Sequence, residues 1–334
     1  DVMHKASIVL AAGASFAMLG PHQTSIKAGR PVVSIGAVRT GVGKSSLTRR
    51  VARFFQERGR RVVAVRHPMP YGDLERQAEQ RFATLEDLER HRVTLEEREE
   101  FEPFIRMGLT VYAGVDYQRI VRRAEEEAEL ILWDGGNNDF PFLRSDLHLV
   151  LVDPHRPGHE TAYHPGETNL RMADAIIINK VDSAPPEQLA QVRSNIAAVR
   201  GNAVPVVLAD AVLQVAQAES IRGKRVAVVG DGPTLTHGGM SFGAATIAAR
   251  RFGASQLVPG SRYAVGSIRT AYREFPHLDV EIPALGYNRQ QLADLEATLN
   301  AAEADLVAYA TPIDLSRLIK VNKPLLAVEY ELQE

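Results

Sequence analysis

The chain has 334 residues, of which 45% are hydrophobic and 24% charged, so it is long enough to form two domains. Its formal net charge of −2 gives no reason to expect nucleic acid or a membrane surface as a partner. The absence of cysteine excludes disulfides, thiolate catalysis and cysteine zinc sites, and it agrees with a cytoplasmic location. No apolar run reaches the ~20 residues that a membrane helix needs.

The order of apolar and turn-forming segments predicts the domain organisation. Segment 7–20 looks like the end of an α/β unit, so we expect residues 1–30 to be the remnant of an N-terminal domain largely missing from this chain. Strands then alternate with helices, which predicts an α/β fold with a doubly wound, mostly parallel sheet over 31–221. A smaller α/β domain is expected over 222–334.

The strongest motif is a predicted phosphate-binding loop. An apolar strand at 32–35 is followed by Gly43-Lys44-Ser45 and then by a helical pattern of apolar residues. Lys44 can bring positive charge to the β- and γ-phosphates of ATP, and the Ser45 hydroxyl can bind Mg²⁺. A glycine-rich turn that binds nothing is the alternative. The expected nucleotide-binding residues of this loop are Thr40, Gly41, Val42, Gly43, Lys44, Ser45 and Ser46.

The start of the loop departs from the full phosphate-binding pattern, because Val38 stands where glycine is usual. The loop resembles the variants of the dethiobiotin-synthetase and MinD-like branch of P-loop proteins. In part of that branch an early basic residue reaches the phosphates, and Arg39 occupies its position. We therefore expect Arg39 to act in catalysis together with Lys44.

Two further strand ends predict nucleotide contacts. The apolar strand 130–134 ends in Asp134, which we expect to act in catalysis and to hold Mg²⁺ together with Ser45. A second apolar strand delivers Asn179, Lys180 and Asp182, which we expect at the nucleotide base. This motif leaves the choice between adenine and guanine open.

Polar side chains after other strands predict a second, heavily anionic substrate, because ligands gather at the carboxyl ends of parallel strands. Arginine can bind phosphate with two hydrogen bonds, and histidine can donate or carry protons. A metal site at Asp153, His155 and His159, or a surface loop without a ligand, are the alternatives. The expected substrate contacts are Arg66, His67, Arg106, Asn137, Asp153, His155, Arg156, His159, Thr236 and His237.

The charged segment 73–106 has helix-start patterns at Thr84 and Thr94, which predict an inserted pair of helices over the site and a lid that closes on nucleotide. The remaining pattern predicts helices at 117–128, 186–199, 211–220, 242–252 and 289–302, and strands at 61–65, 147–152, 175–178, 204–209, 225–229, 278–282, 306–309 and 325–328.

Taken together, the motifs resemble the cyclic 2,3-diphosphoglycerate synthetase family over residues 10–334. The motifs that carry the resemblance are 36–46, 134–139, 153–159, 179–182, 231–239 and 312–315. The resemblance implies ATP-dependent closure of a small polyanionic phosphate, 2,3-diphosphoglycerate, into its cyclic form with release of ADP and phosphate. It also implies a homodimer. A GTP-dependent regulatory or maturation switch is the alternative, favoured by residues 179–182.

Overall fold

The computed structural model describes residues 2–69, 73–135, 139–285 and 288–333, and within them the chain forms two β-sheets. Two helices precede the first sheet, α1 (Val2–Ala11) and α2 (Pro21–Thr24). The first sheet and its helices comprise β1 (Val32–Ala37), α3 (Lys44–Gln56), β2 (Val62–Arg66), β3 (Gln80–Phe82), α4 (Leu85–His91), α5 (Leu95–Arg106), β4 (Thr110–Ala113), α6 (Tyr117–Glu127), β5 (Leu130–Asp134), β6 (Leu147–Val152), α7 (His159–Ala162), α8 (Gly166–Met172), β7 (Ala175–Ile178), α9 (Pro186–Arg200) and β8 (Val206–Leu208).

The first sheet has the strand order β3-β4-β2-β5-β1-β6-β7-β8. All neighbouring strands pair in parallel except β3 and β4, which are antiparallel at the edge. Every residue of β1 and β5 is buried, because helices cover both faces of a parallel sheet. The carboxyl ends of the central strands β5, β1 and β6 consequently meet at one edge, where the predicted motifs lie. The predicted fold class is confirmed.

The second sheet follows directly. Its elements are β9 (Asp210–Val215), β10 (Arg225–Asp231), α10 (Gly232–Leu235), α11 (Ala244–Arg251), β11 (Gln256–Leu257), α12 (Gly266–Glu274), β12 (Ile282–Ala284), α13 (Arg289–Ala301), β13 (Leu306–Ala310) and β14 (Leu325–Gln333). The strand order is β11-β10-β13-β14-β9, and β12 also pairs with β10. These pairs are parallel except for β14 and β9.

The helix predicted over 211–220 is wrong. The first half of this segment forms strand β9, which pairs antiparallel with the long strand β14. The β-branched Val212 and Val215 suit a strand, and β14 offers a partner that periodicity within the segment cannot reveal. Only Ala218–Ile221 is helical, as a short 3-10 turn. The strand predicted over 278–282 begins later, at Ile282. The chain enters the second sheet before the expected boundary at 221/222, and the domain limits stay predictions.

The charged segment 73–106 is confirmed as a helix pair. Thr84 and Thr94 are the N-caps of α4 and α5, each in a capping box with an acidic residue three positions later. Phe101 and Phe104 bury the inner face of α5 against the first sheet. The lid motion stays a prediction.

The helix α1 exposes Met3, Ile8 and Leu10 to solvent. Among the described residues, none of the helices has both the length and the apolar character needed to cross a membrane.

Candidate functional site

The loop between β1 and α3 has the backbone shape of a phosphate-binding loop. Gly41 and Gly43 have φ angles of 75° and 110°, in the left-handed region that favours glycine. Gly43 immediately precedes α3, so the free amides at the start of that helix face an anion site. A Cβ atom on Gly43 would collide with the side-chain amide of Asn179. Glycine is therefore required at this position by both conformation and space.

The motif after β7 holds this loop in place. Asn179 is buried and donates a hydrogen bond to the Val42 carbonyl at 2.8 Å. Lys180 donates to the Gly41 carbonyl at 2.7 Å and pairs with Asp153 at 2.9 Å. Asp182 accepts a hydrogen bond from the Ala211 amide at 3.0 Å, which ties the motif to β9. These contacts show that the motif stabilises the phosphate-binding loop. Its contact with the nucleotide base stays a prediction.

Lys44 begins α3 beside three carboxylates. Burial lowers the pKa of Lys44, while Asp134, Glu100 and Asp139 act in the opposite direction. Ser45 lies in the first helical turn, and Ser46 accepts a hydrogen bond from Arg49 at 3.2 Å. The predicted phosphate-binding residues are thus together at the edge of the sheet, and their contacts with nucleotide stay predictions.

Asp134 is fully buried at the end of β5, next to the loop. One of its carboxylate oxygens accepts a hydrogen bond from Arg66, which also donates to Glu100 of α5. Its Oδ1 atom has no hydrogen-bond partner among the described residues. Such an oxygen, on a carboxylate that acts on the pKa of Lys44 at the start of the helix, fits a magnesium site. Arg66 is 2% exposed and paired with two carboxylates, so the structure gives no support to the predicted substrate contact.

Arg156 is the buried centre of a clasp between the two sheets. Its Nη1 atom donates to the carbonyl of Thr40 and to that of Gly238, both at 2.8 Å. Its Nη2 atom donates to Asp153 at 2.7 Å. Burial alone would raise the pKa of Asp153, but Lys180 and Arg156 outweigh this effect and hold that pKa well below its ordinary value. The guanidinium of Arg156 is therefore paired within the protein, which does not favour the predicted contact with a free anion.

Arg39 forms a second link to the other sheet. It donates to the carbonyl of His237 at 2.7 Å, and its guanidinium lies 3.8 Å from the centre of the Tyr163 ring. Thr236 donates to the Gly232 carbonyl and lies 3.0 Å from the His237 ring. The predicted roles of these residues at the phosphates and the substrate stay predictions.

Two of the histidines predicted to contact the substrate, His155 and His159, have a pKa below the ordinary value for histidine. Burial lowers the pKa of His155 and of His159, and for both the neighbouring Arg156 acts in the same direction. The His155 ring contacts Ser183 at 2.9 Å, and His67 lies 3.8 Å from Asp139. The lowered pKa of His155 and of His159 does not favour them as cations that screen a polyanion.

One predicted substrate residue, Arg106, does not join the site. Arg106 ends α5 just before β4 begins, which places it at the edge of the sheet opposite the phosphate-binding loop, and it pairs with Glu102. Asn137 lies outside the described residues. The metal alternative at Asp153, His155 and His159 also lacks support, since no cluster of three metal-ligating side chains occurs in the described ranges.

A cleft of about 700 Å³, open to solvent, separates the phosphate-binding loop from the second sheet. Its walls include Gly41, Lys180 and Asp182 on one side and Asp231, Phe242 and Tyr330 on the other. The Thr234 side chain packs directly on Gly41, because a Cβ atom there would come within 2.5 Å of it. The second sheet thus completes the site.

A buried carboxylate supports the second wall of the cleft. Glu281 is fully buried and accepts hydrogen bonds from the Gly243 amide and the Thr246 hydroxyl. Its Oε1 atom has no hydrogen-bond partner in the described part of the chain. Burial raises the pKa of Glu281 to about 7. Gly243 lines the cleft, so the protonation of Glu281 acts on the wall of the site.

We expect this carboxylate to make stability fall between about pH 4.5 and 7. The folded state holds the Glu281 proton over that range while the unfolded chain releases it, so the free energy of unfolding decreases as the pH rises. The free energy of unfolding of the wild type should fall by on the order of 3 kcal/mol over this pH range, and Glu281→Gln should remove this fall. Urea unfolding at pH 5 and pH 8 measures this, with the exposed Glu274→Gln as control. An unchanged pH dependence in Glu281→Gln would refute the assignment.

Several residues of the site were missed by sequence reasoning. Glu100 holds Arg66 beside Asp134, whereas Arg106 was the residue selected from this helix. Asp231 and Thr234 lie in a recognised motif from which only Thr236 and His237 were selected. Tyr330 comes from the last strand, and no local signal marked it.

The fold and the loop define a protein of the P-loop NTPase class. LpxK from Aquifex aeolicus, solved in complex with ATP, has a TM-score of 0.53 and 13% identity, covering 98% of this chain and 91% of LpxK. That likeness shows the fold alone. The hydrogenase maturation factor HypB from Archaeoglobus fulgidus, with a TM-score of 0.31, 14% identity and coverage of 62% of this chain and 90% of HypB, is too distant to support an argument. No protein-family model matches the sequence.

The sequence itself identifies the family. Arginine synthetase ArcE from Thermococcus kodakarensis is 56% identical over 333 residues, which cover 100% of this chain and 74% of that protein. The chain therefore belongs to the arginine synthetase ArcE family, and it is an enzyme.

This relationship overturns the predicted family and activity. The cyclic 2,3-diphosphoglycerate synthetase assignment is wrong, and so is the predicted cyclisation of 2,3-diphosphoglycerate. The motifs behind that assignment include the phosphate-binding loop, which P-loop enzymes with different second substrates share. The GTP-dependent switch gains no support from this relative, which is named as a synthetase.

Proposed function

We propose that this protein forms arginine in an ATP-dependent reaction. The observation that carries the proposal is the 56% identity to an arginine synthetase along the whole chain. The phosphate-binding loop supports ATP as the energy source, since the left-handed Gly43, Lys44 and the start of α3 are the parts that hold β- and γ-phosphates.

The chemistry of the product indicates the class of the second substrate. A guanidinium group differs from a urea group by one nitrogen in place of oxygen, so a ureido amino acid and ammonia are the simplest precursors. The ureido oxygen attacks the γ-phosphorus of ATP, the bond from that phosphorus to the bridging oxygen breaks, and ADP leaves. Ammonia then attacks the activated carbon, and phosphate departs with the original ureido oxygen.

The residues of the site fit a reaction that begins with transfer of the γ-phosphoryl group. Lys44 lies where charge accumulates on the transferred phosphoryl group, and the loop amides hold that group in line. Asp134 and Ser45 would hold a Mg²⁺ ion, which neutralises charge on the β- and γ-phosphates when bound. Attack at the γ-phosphorus gives ADP, whereas activation through AMP would require attack at the α-phosphorus.

We expect the enzyme to form arginine and ADP in equal amounts from ATP, the ureido isostere of arginine and ammonium. Amino-acid analysis and nucleotide chromatography of the same reaction measure both products. A matched reaction without ammonium should give little arginine. Absence of arginine in the complete reaction would contradict the proposed function, and AMP in place of ADP would contradict attack at the γ-phosphorus.

A further inference from the structure

One carboxylate of the cleft faces it without a cation partner. Asp231 ends β10 and accepts hydrogen bonds from the amide and the hydroxyl of Thr234. Across the described ranges, no Lys, Arg or His nitrogen lies within 4.0 Å of its carboxylate oxygens. Burial raises the pKa of Asp231, and among the described residues the charged group that acts on this pKa is Glu100, a carboxylate that raises it further. A negative group in such surroundings is complementary to a positively charged ligand.

The carboxylate of Asp231 lies near the phosphate-binding loop. Asp231 holds Thr234 by two hydrogen bonds, and Thr234 packs on Gly41 of the phosphate-binding loop. Only one residue therefore separates the carboxylate from the loop. A group bound by Asp231 would lie on the side of the cleft where the γ-phosphate is presented.

The remaining walls suit a hydrocarbon chain that ends in a polar group. Leu213, Met240, Phe242 and Ile247 line the same cleft. Tyr330 also faces it, and Asp231 lies close enough to raise the pKa of that tyrosine. Arginine combines three methylene groups with a planar cation, and its methylenes match the apolar wall beside Asp231.

We propose that the carboxylate of Asp231 binds the guanidinium group of arginine in the cleft between the two sheets. Before the reaction, the same carboxylate lies beside the ureido group that becomes the guanidinium. This inference rests on the proposed function and adds the residue that recognises the product. A guanidinium can donate two parallel hydrogen bonds to a carboxylate, which gives geometry as well as charge.

The same contact favours the forward chemistry. The ureido group is neutral and the guanidinium is positively charged, so positive charge develops on the reacting carbon. A fixed carboxylate beside that carbon stabilises the charged form more than the neutral substrate. Asp231 is therefore expected to affect turnover more than binding of the ureido substrate.

The test compares Asp231→Asn with the wild type and with Asp305→Asn. Asparagine retains an acceptor for Thr234 and removes only the charge, and Asp305 is a surface carboxylate of the same sheet, paired with Arg225. Calorimetry with arginine, with its neutral ureido isostere and with ADP measures the three affinities. We expect Asp231→Asn to weaken arginine binding about 10- to 100-fold. The affinities for ADP and for the ureido isostere should change little.

Kinetics provide a second readout. Asp231→Asn should lower kcat for arginine formation while the KM for the ureido substrate stays close to the wild-type value, and Asp305→Asn should match the wild type. An unchanged preference for arginine over its neutral isostere in Asp231→Asn would overturn this inference and leave the proposed function intact. Equal binding of the two ligands by the wild type would also overturn it, whether or not the variant folds. A wild type that neither binds nor forms arginine would instead refute the proposed function.

Discussion

Replacing Lys44 with alanine will lower the rate of arginine formation by about 10²- to 10³-fold. Lys44 begins α3 beside Asp134, in the position where a lysine stabilises the transferred phosphoryl group. Steady-state assays of arginine and ADP, with circular dichroism to verify the fold, measure this effect.

The matched control for Lys44 is Lys224, an exposed lysine that precedes β10 in the second sheet. Lys224→Ala makes the same chemical change away from the loop and should leave the rate close to the wild-type value. Activity of Lys44→Ala within about twofold of the wild type would remove this lysine from phosphoryl transfer, since each tenfold of rate corresponds to about 1.4 kcal/mol of barrier.

Replacing Arg156 with methionine will destabilise the protein by about 3–5 kcal/mol, the cost of breaking a buried ion pair. Three contacts disappear together, with the carbonyls of Thr40 and Gly238 and with Asp153. Among the residues that the structure describes, Asp153 then retains only Lys180 as a charged hydrogen-bond partner. Because the lost contacts join the phosphate-binding loop to the second sheet, affinity for ADP should fall as well. Urea unfolding and calorimetry with ADP measure the two effects.

Arg171 provides the control for Arg156, because it is 56% exposed and pairs with Glu167 on its own helix. Arg171→Met should cost less than about 1 kcal/mol. Arg156→Lys retains the charge but cannot make all three hydrogen bonds, so its stability should lie between those of the wild type and Arg156→Met. A loss of unfolding free energy below 1 kcal/mol in Arg156→Met would show that the contacts of Arg156 contribute little to stability.

The sequence was most informative where structure depends on neighbouring residues. The apolar run of β1, the glycines before α3 and the capping boxes at Thr84 and Thr94 are local patterns, and the structure confirms these elements. The strand β9 was mistaken for a helix because its identity depends on β14, more than a hundred residues further along the chain.

The chemical roles were harder to predict because the partners of a charged side chain are not visible in sequence. Arg66 was interpreted as a substrate cation, but it pairs with Glu100, 34 residues away. Arg156 was interpreted in the same way, yet one of its acceptors, Gly238, is 82 residues distant. The second substrate was misassigned for a related reason. The cleft draws its walls from residues between Gly41 and Tyr330, and the motifs cover these walls only in part.

The transfer of the γ-phosphoryl group to the ureido oxygen can be tested most directly with an isotope. The ureido isostere of arginine, labelled with oxygen-18 in its carbonyl group, is incubated with the enzyme, ATP, Mg²⁺ and ammonium, and the products are analysed by phosphorus NMR. The account predicts one labelled oxygen in the released inorganic phosphate and none in the nucleotide. Label in AMP, or inorganic phosphate without label while arginine is formed, would contradict it.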